Sequence, residues 1–205
     1  MAIASDPFFR TFHALRIKGF AKADVVAEVS GLPAEVVDEH LVALKDREWA
    51  VFREARELWQ LSPVGRDEHR IALQADVGGA VLDDLHEAYS GFLELNERFK
   101  ALCGDWQLRD GQPNDHTDGG YDAAVIARLQ SIDTAAQPLV RKMGEVLERL
   151  APYGPRLERS CQQVLAGETK MFTGVMCGSY HDVWMELHED LILTQGIDRT
   201  AEGSF

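Results

Sequence analysis

Residues 23–65 read ADVVAEVSGLPAEVVDEHLVALKDREWAVFREARELWQLSPVG, and the order of elements in this stretch decides the fold. Val25, Val26 and Val29 recur at helical spacing and stop at Ser30-Gly31, where glycine permits the left-handed turn that other residues resist. A second helix opens after Pro33. Its Val37, Leu41 and Leu44 fall at i, i+4 and i+7, so that face packs inward while Glu35, Asp38, Glu39, Val42 and Lys45 point away. Two apolar runs, 49–53 and 58–61, flank the polar Glu54-Ala55-Arg56-Glu57 and read as a hairpin. Ser62-Pro63 then supplies a cap and a first-turn proline for another helix toward His69 and Arg70. Arg47-Glu48 stands where glycine would ease the turn into the hairpin, so that turn needs another construction or a strained residue.

Working outward, Asp6 and Pro7 begin a helix that carries Phe8, Phe12, Leu15 and Ile17 and ends at Gly19. Helix, helix, turn, helix and hairpin in this order, with the SGLPAEVVDEHLVAL segment and the closing LSPVGR, resemble the winged-helix DNA-binding domain of MarR-type transcriptional regulators over the first third of the chain. The resemblance implies a recognition helix that begins near Pro33 and a wing at the hairpin. Duplex contacts would then fall to Pro33, Ala34, Glu35, Asp38 and Glu39 at base edges, and to Lys18, Lys22, Lys45, Arg53 and Arg56 at phosphates. The start of the recognition helix is acidic where Arg, Ser, Asn or Gln usually reads bases.

Charge divides the chain. Residues 1–70 hold 10 Lys and Arg against 12 Asp and Glu, while the remainder holds 11 against 22. An acidic body repels phosphate backbones, which confines any nucleic-acid contact to the near-neutral first third. The expected domains are therefore 1–72, winged-helix-like, and 82–205, a helical dimerisation or effector domain, joined through a helix end or short linker by the small-residue segment 71–81 that contains Gly78-Gly79.

In the second domain Leu85, Tyr89, Phe92, Asn96, Phe99, Cys103 and Trp106 step by four and three. Val125, Leu129, Ile132, Ala136, Leu139, Met143, Val146 and Leu150 repeat the alternation, with Pro138 as an interruption. Two such seams pair either within one subunit or across a homodimer, in which case Phe92, Asn96 and Phe99 lie in the interface and the amide fixes register. Residues 107–120, rich in Asp, Gly, Asn and Pro, read as a solvated loop. Its Asp110, Asp115, His116 and Asp118 do not follow the ligand spacing of a calcium-binding loop. A helix near 156–166 stops at Gly167.

The last helix, about 179–195 with Gly196 as its stop, stacks His181, Trp184, Met185 and His188 on one face. Its two histidines stand two turns apart, about 10 Å along the axis, which is too far for one metal ion. The architecture is loosely similar to the ligand-binding domains of GntR-type regulators, some of which hold a metal, with His86, His116, His181 and His188 as candidates. No spacing selects a set, and no metal or cofactor is expected. A small-molecule effector is expected between helices, against Trp106, Tyr180, His181, Trp184 and His188.

No nucleophile elbow, phosphate-cradling loop or dinucleotide fingerprint is present, and Cys177 near His181 lacks a basic surround, so no enzyme is expected. Three separated cysteines, Cys103, Cys161 and Cys177, suit a reducing cytoplasm, and no segment resembles a leader or a membrane span. The reading is a mainly α, homodimeric protein with a winged helix-turn-helix followed by a helical bundle that dimerises, senses an effector, or both, acting as a DNA-binding transcriptional regulator. The alternative is an accessory protein that uses the winged helix and acidic bundle for protein contact.

Overall fold

The structure is a computed structural model that describes residues 2–77 and 79–197, with backbone alone for 79–82. The first unit contains α1 (Pro7–Lys18), β1 (Phe20–Ala21), α2 (Ala23–Ser30), α3 (Ala34–Asp46), β2 (Ala50–Arg53), β3 (Leu58–Leu61) and α4 (Pro63–Asp76). Asp6 caps α1 by accepting from the backbone N–H groups of Phe8 and Phe9, and Gly31 ends α2 in the left-handed conformation. The three strands form an antiparallel sheet in the order β1-β3-β2. The two-residue β1, which sequence periodicity is too short to reveal, pairs Phe20 with Gln60 and Ala21 with Trp59.

The turn into the hairpin takes the strained solution. Glu48 adopts φ of 61° without glycine's freedom, and Arg47 lays its guanidinium over Phe8 and Trp49, at 4.6 and 5.1 Å from the ring centroids. Gly65 fits where nothing larger does, since a Cβ there would lie 1.9 Å from the Trp49 carbonyl oxygen. Phe12, Leu15, Val26, Val37, Leu41, Leu44 and Leu61 close a core from α1, α2, α3 and the sheet.

The second unit is a helical bundle. It comprises α5 (Gly79–Gln107), a minimal hairpin of β4 (Leu108–Arg109) and β5 (Gln112–Pro113), α6 (Gly119–Val146), α7 (Tyr153–Leu165), α8 (Lys170–Thr173) and α9 (Tyr180–Gln195). Leu85, Phe92, Phe99, Leu129, Met143, Leu157, Phe172, Trp184 and Leu187 belong to one continuous core. The protein is thus mainly helical with small antiparallel sheets. Among the described residues no helix is long and apolar enough to cross a membrane.

Several expectations are corrected. Of the two forms expected for the junction, residues 71–76 take the helix end, extending α4, because Leu73 is buried one turn beyond His69; Gly78 and residues 198–205 lie outside the described residues. Pro138 sits inside α6 on an exposed position and does not break it; Val140 takes the inward position there, and Leu139 packs against Gly91. The second seam leaves the helix at Leu147, so Leu150 reaches the core from a 3-10 turn.

The pairing of the seams is also resolved. Phe92, Asn96 and Phe99 are at most 2% exposed inside one chain. Asn96 Oδ1 accepts from Trp184 Nε1 at 2.9 Å, which binds α5 to α9 rather than to a second subunit. The seam is therefore not an interface between chains.

Candidate functional site

α3 presents its outward face by the same periodicity that buries Val37, Leu41 and Leu44. Pro33, Ala34, Glu35, Asp38, Glu39 and Lys45 are all exposed, and Val42 is 53% exposed among the carboxylates. None of the ion pairs found among the described residues involves Glu35, Asp38 or Glu39, so their charge faces outward unneutralised. At the hairpin Arg53 and Arg56 are exposed, and Lys22 stands 3.7 Å from Glu57. Residues 22–57, which carry α2, α3 and the hairpin, hold 5 basic and 9 acidic residues. A face with this balance repels a duplex and attracts a cationic surface.

Lys18 belongs elsewhere. Its ammonium lies 2.6 Å from Glu186 Oε1 on α9, only 16% of the side chain is exposed, and it is not placed with Lys22, Arg53 and Arg56. It is one member of a polar clasp that holds the first unit against the bundle. Arg10 donates to the Ser30 carbonyl at 2.7 Å and to Glu148 at 3.1 Å; Arg16 pairs with Glu189 at 3.3 Å; Arg159 reaches Glu28. Arg156 also donates to Glu186, at 2.5 Å.

The centre of the clasp is buried and charged. Arg149 donates through Nε to Asp76 at 3.1 Å, through Nη1 to Asp190 and through Nη2 to the Thr194 hydroxyl. Tyr153 donates to the second oxygen of Asp190 at 3.0 Å, and Ser5 donates to Asp76 at 3.0 Å. His13 Nε2 lies 3.0 Å from Asp190 Oδ1, and its Nδ1 lies 2.9 Å from His69 Nε2. Burial alone would raise the Asp190 carboxyl, but Arg149 and His13 beside it pull it below the usual carboxylate range. Burial holds His13 below the ordinary imidazole range and pushes His69 down to about 2. Both rings are neutral near pH 7.

These residues escaped sequence reasoning because no motif links them. They come from α1, α4, the turn after α6, α7 and α9, and His13 and Arg149 are 136 positions apart. The only local hint was a basic or polar residue at an inward helical position, such as His13 beside Phe9 and Phe12.

The expected effector pocket is filled by its own side chains. Trp106, Tyr180, Trp184 and His188 are at most 6% exposed. Trp184 stacks with Phe92 at 4.8 Å and Phe99 at 4.9 Å; Tyr180 meets Phe99 at 5.3 Å; His188 meets the Tyr89 hydroxyl at 3.3 Å. Trp106 packs between His116 and Phe172 at the other end of the bundle, and half-buried His181 tilts against Phe99. Aromatic packing thus fills the space expected for an effector around Trp106, Tyr180, Trp184 and His188.

His86 is exposed, and His116 is held by Asp122 at 2.9 Å in a loop built around Asn114. Burial pushes the Cys103 and Cys161 thiols up to about 12. Among the described residues no group of three or more His, Cys, Asp or Glu is placed to hold a metal ion. Neither the protein-family models nor the curated proteins nor the solved structures offer a match to this chain.

Proposed function

We propose that the protein is an accessory regulatory protein whose first unit is a winged helix used to dock a partner protein. The observation that carries this reading is the outward face of α3, where Glu35, Asp38 and Glu39 surround exposed Val42 and no ion pair among the described residues neutralises them. The helix order, the β1-β3-β2 sheet and the exposed hairpin support the winged-helix assignment. The partner surface is basic with an apolar centre, since an anchor rimmed by charge is how such patches gain both affinity and register. The clasp supports a unit held against the bundle, so docking at α3 positions the acidic bundle beside the partner.

A second reading, a sequence-specific DNA regulator, is favoured by the same element order and by exposed Arg53 and Arg56 on the hairpin. There Lys22, Lys45, Arg53 and Arg56 would meet phosphates, while Pro33 and Ala34 would touch thymine methyls and Glu35, Asp38 and Glu39 would accept from cytosine. Lys18, held by Glu186, drops out of this set.

Genomic selection with the full-length protein, followed by affinity measurement at two salt concentrations, separates the readings. The docking reading expects no enriched sequence. An enriched sequence whose salt slope falls by about one unit in Arg53→Ala establishes the DNA reading instead.

A further inference from the structure

A cleft of about 640 Å³ lies between α4 and the end of α9. Arg66 and Arg70 of α4 line it together with Arg16 of α1, which is already paired with Glu189, and the lining holds one acid, Asp67, in a chain of net charge −13. Arg66 is exposed and joins no ion pair found among the described residues; Arg70 is 69% exposed and held only by Asp67, itself exposed. Exposed pairs of this kind contribute little and exchange easily. The apolar lining comes from both sides, buried Leu73 and half-buried Val77 on and just after α4, and buried Ile192 and half-buried Ile197 at the end of α9. A smaller cavity of about 200 Å³ continues the cleft past Leu15 and Gly19 and shares Arg16 and Arg66.

Two polar residues belong to the lining. Gln195 Nε2 donates to the Leu191 carbonyl, which leaves its buried Oε1 without a hydrogen-bond partner. His69 lines the cleft and connects through His13 to Asp190 and Arg149. Arginine forks match carboxylate geometry, and the volume lies within the ordinary range of small-ligand sites.

We infer that this cleft binds a small organic carboxylate with an apolar body, its head group on Arg66 and Arg70 and its body against Leu73 and Ile192. Because α1, α4 and α9 all line the cleft, occupancy ties the two units together, and this holds whether α3 meets protein or nucleic acid.

The test is calorimetric titration of the full chain with octanoate, octanamide and inorganic phosphate, repeated on the double variant Arg66→Gln/Arg70→Gln. Both arginines are exposed, so the variant without ligand should melt as the native protein does. Octanoate is expected to bind saturably at one site, with octanamide and phosphate at least about tenfold weaker and the variant about tenfold weaker for octanoate. Absence of saturable octanoate binding, equal binding of octanamide, or undiminished binding by the variant overturns the proposal.

Discussion

His13 Nδ1 and His69 Nε2 lie 2.9 Å apart at the junction of the two units, so two imidazoles from α1 and α4 share one hydrogen bond in a buried site. Both are held neutral by burial, with His69 at about 2. Unfolded, each titrates near 6.5, so below that pH the unfolded chain binds more protons than the folded one and stability falls as pH falls. Each histidine that stays neutral costs about 1.4 kcal/mol per pH unit below about 6.5. Asp190, with its pKa lowered by Arg149 and His13, adds a further loss only below about pH 4. Urea unfolding at pH 5 and pH 7 is expected to show lower stability at pH 5, and His69→Leu a shallower dependence. Equal stability at both pH values contradicts neutral burial.

Arg149 is the common partner of Asp76, Asp190 and Thr194. Arg149→Met leaves two buried carboxylates uncompensated and is expected to cost about 3–5 kcal/mol. Adding Asp190→Asn should recover part of that loss, a non-additivity that a double-mutant cycle in urea reads directly. Strict additivity would mean that the pair does not act as one unit.

Phe92 and Phe99 lie within the intramolecular core, against Trp184 at 4.8 and 4.9 Å. Phe92→Asp should therefore unfold the bundle rather than dissociate a folded dimer. Circular dichroism and light scattering together decide it: a folded, monomeric Phe92→Asp protein made from an oligomeric parent would restore the seam between chains.

Gly65→Ala places a methyl group against the Trp49 carbonyl at 1.9 Å, so α4 must shift away from the hairpin. A loss of about 1–3 kcal/mol is expected in thermal or urea unfolding. An unchanged midpoint would show that the helix yields without cost.

The legible part of the fold was what local periodicity encodes. Val37, Leu41 and Leu44 inward, Glu35, Asp38 and Glu39 outward, the Asp6 and Ser62 caps, and Gly31 and Gly196 as left-handed stops all stand where spacing put them. Strand β1 has two residues and no periodicity to detect. Pro138 fits within α6 on an exposed position. The partners of Lys18 and Arg149 were invisible for a different reason, because Glu186 lies 168 positions from Lys18 and Asp190 lies 41 from Arg149. The aromatic cluster of Trp106, Tyr180 and Trp184 was visible, but residue types alone do not distinguish a lined pocket from a filled core.

The central claim is that α3 meets a basic protein surface, and a photo-crosslinking amino acid at Val42 of the full-length chain tests it most directly. Val42 is exposed and flanked by Glu35, Asp38 and Glu39, so the probe samples whatever this face contacts. The expected result is a discrete adduct with a protein of basic surface, lost in the triple variant Glu35→Lys, Asp38→Lys, Glu39→Lys while the fold persists. An adduct with duplex DNA, or a protein adduct that survives the charge reversal, contradicts the account.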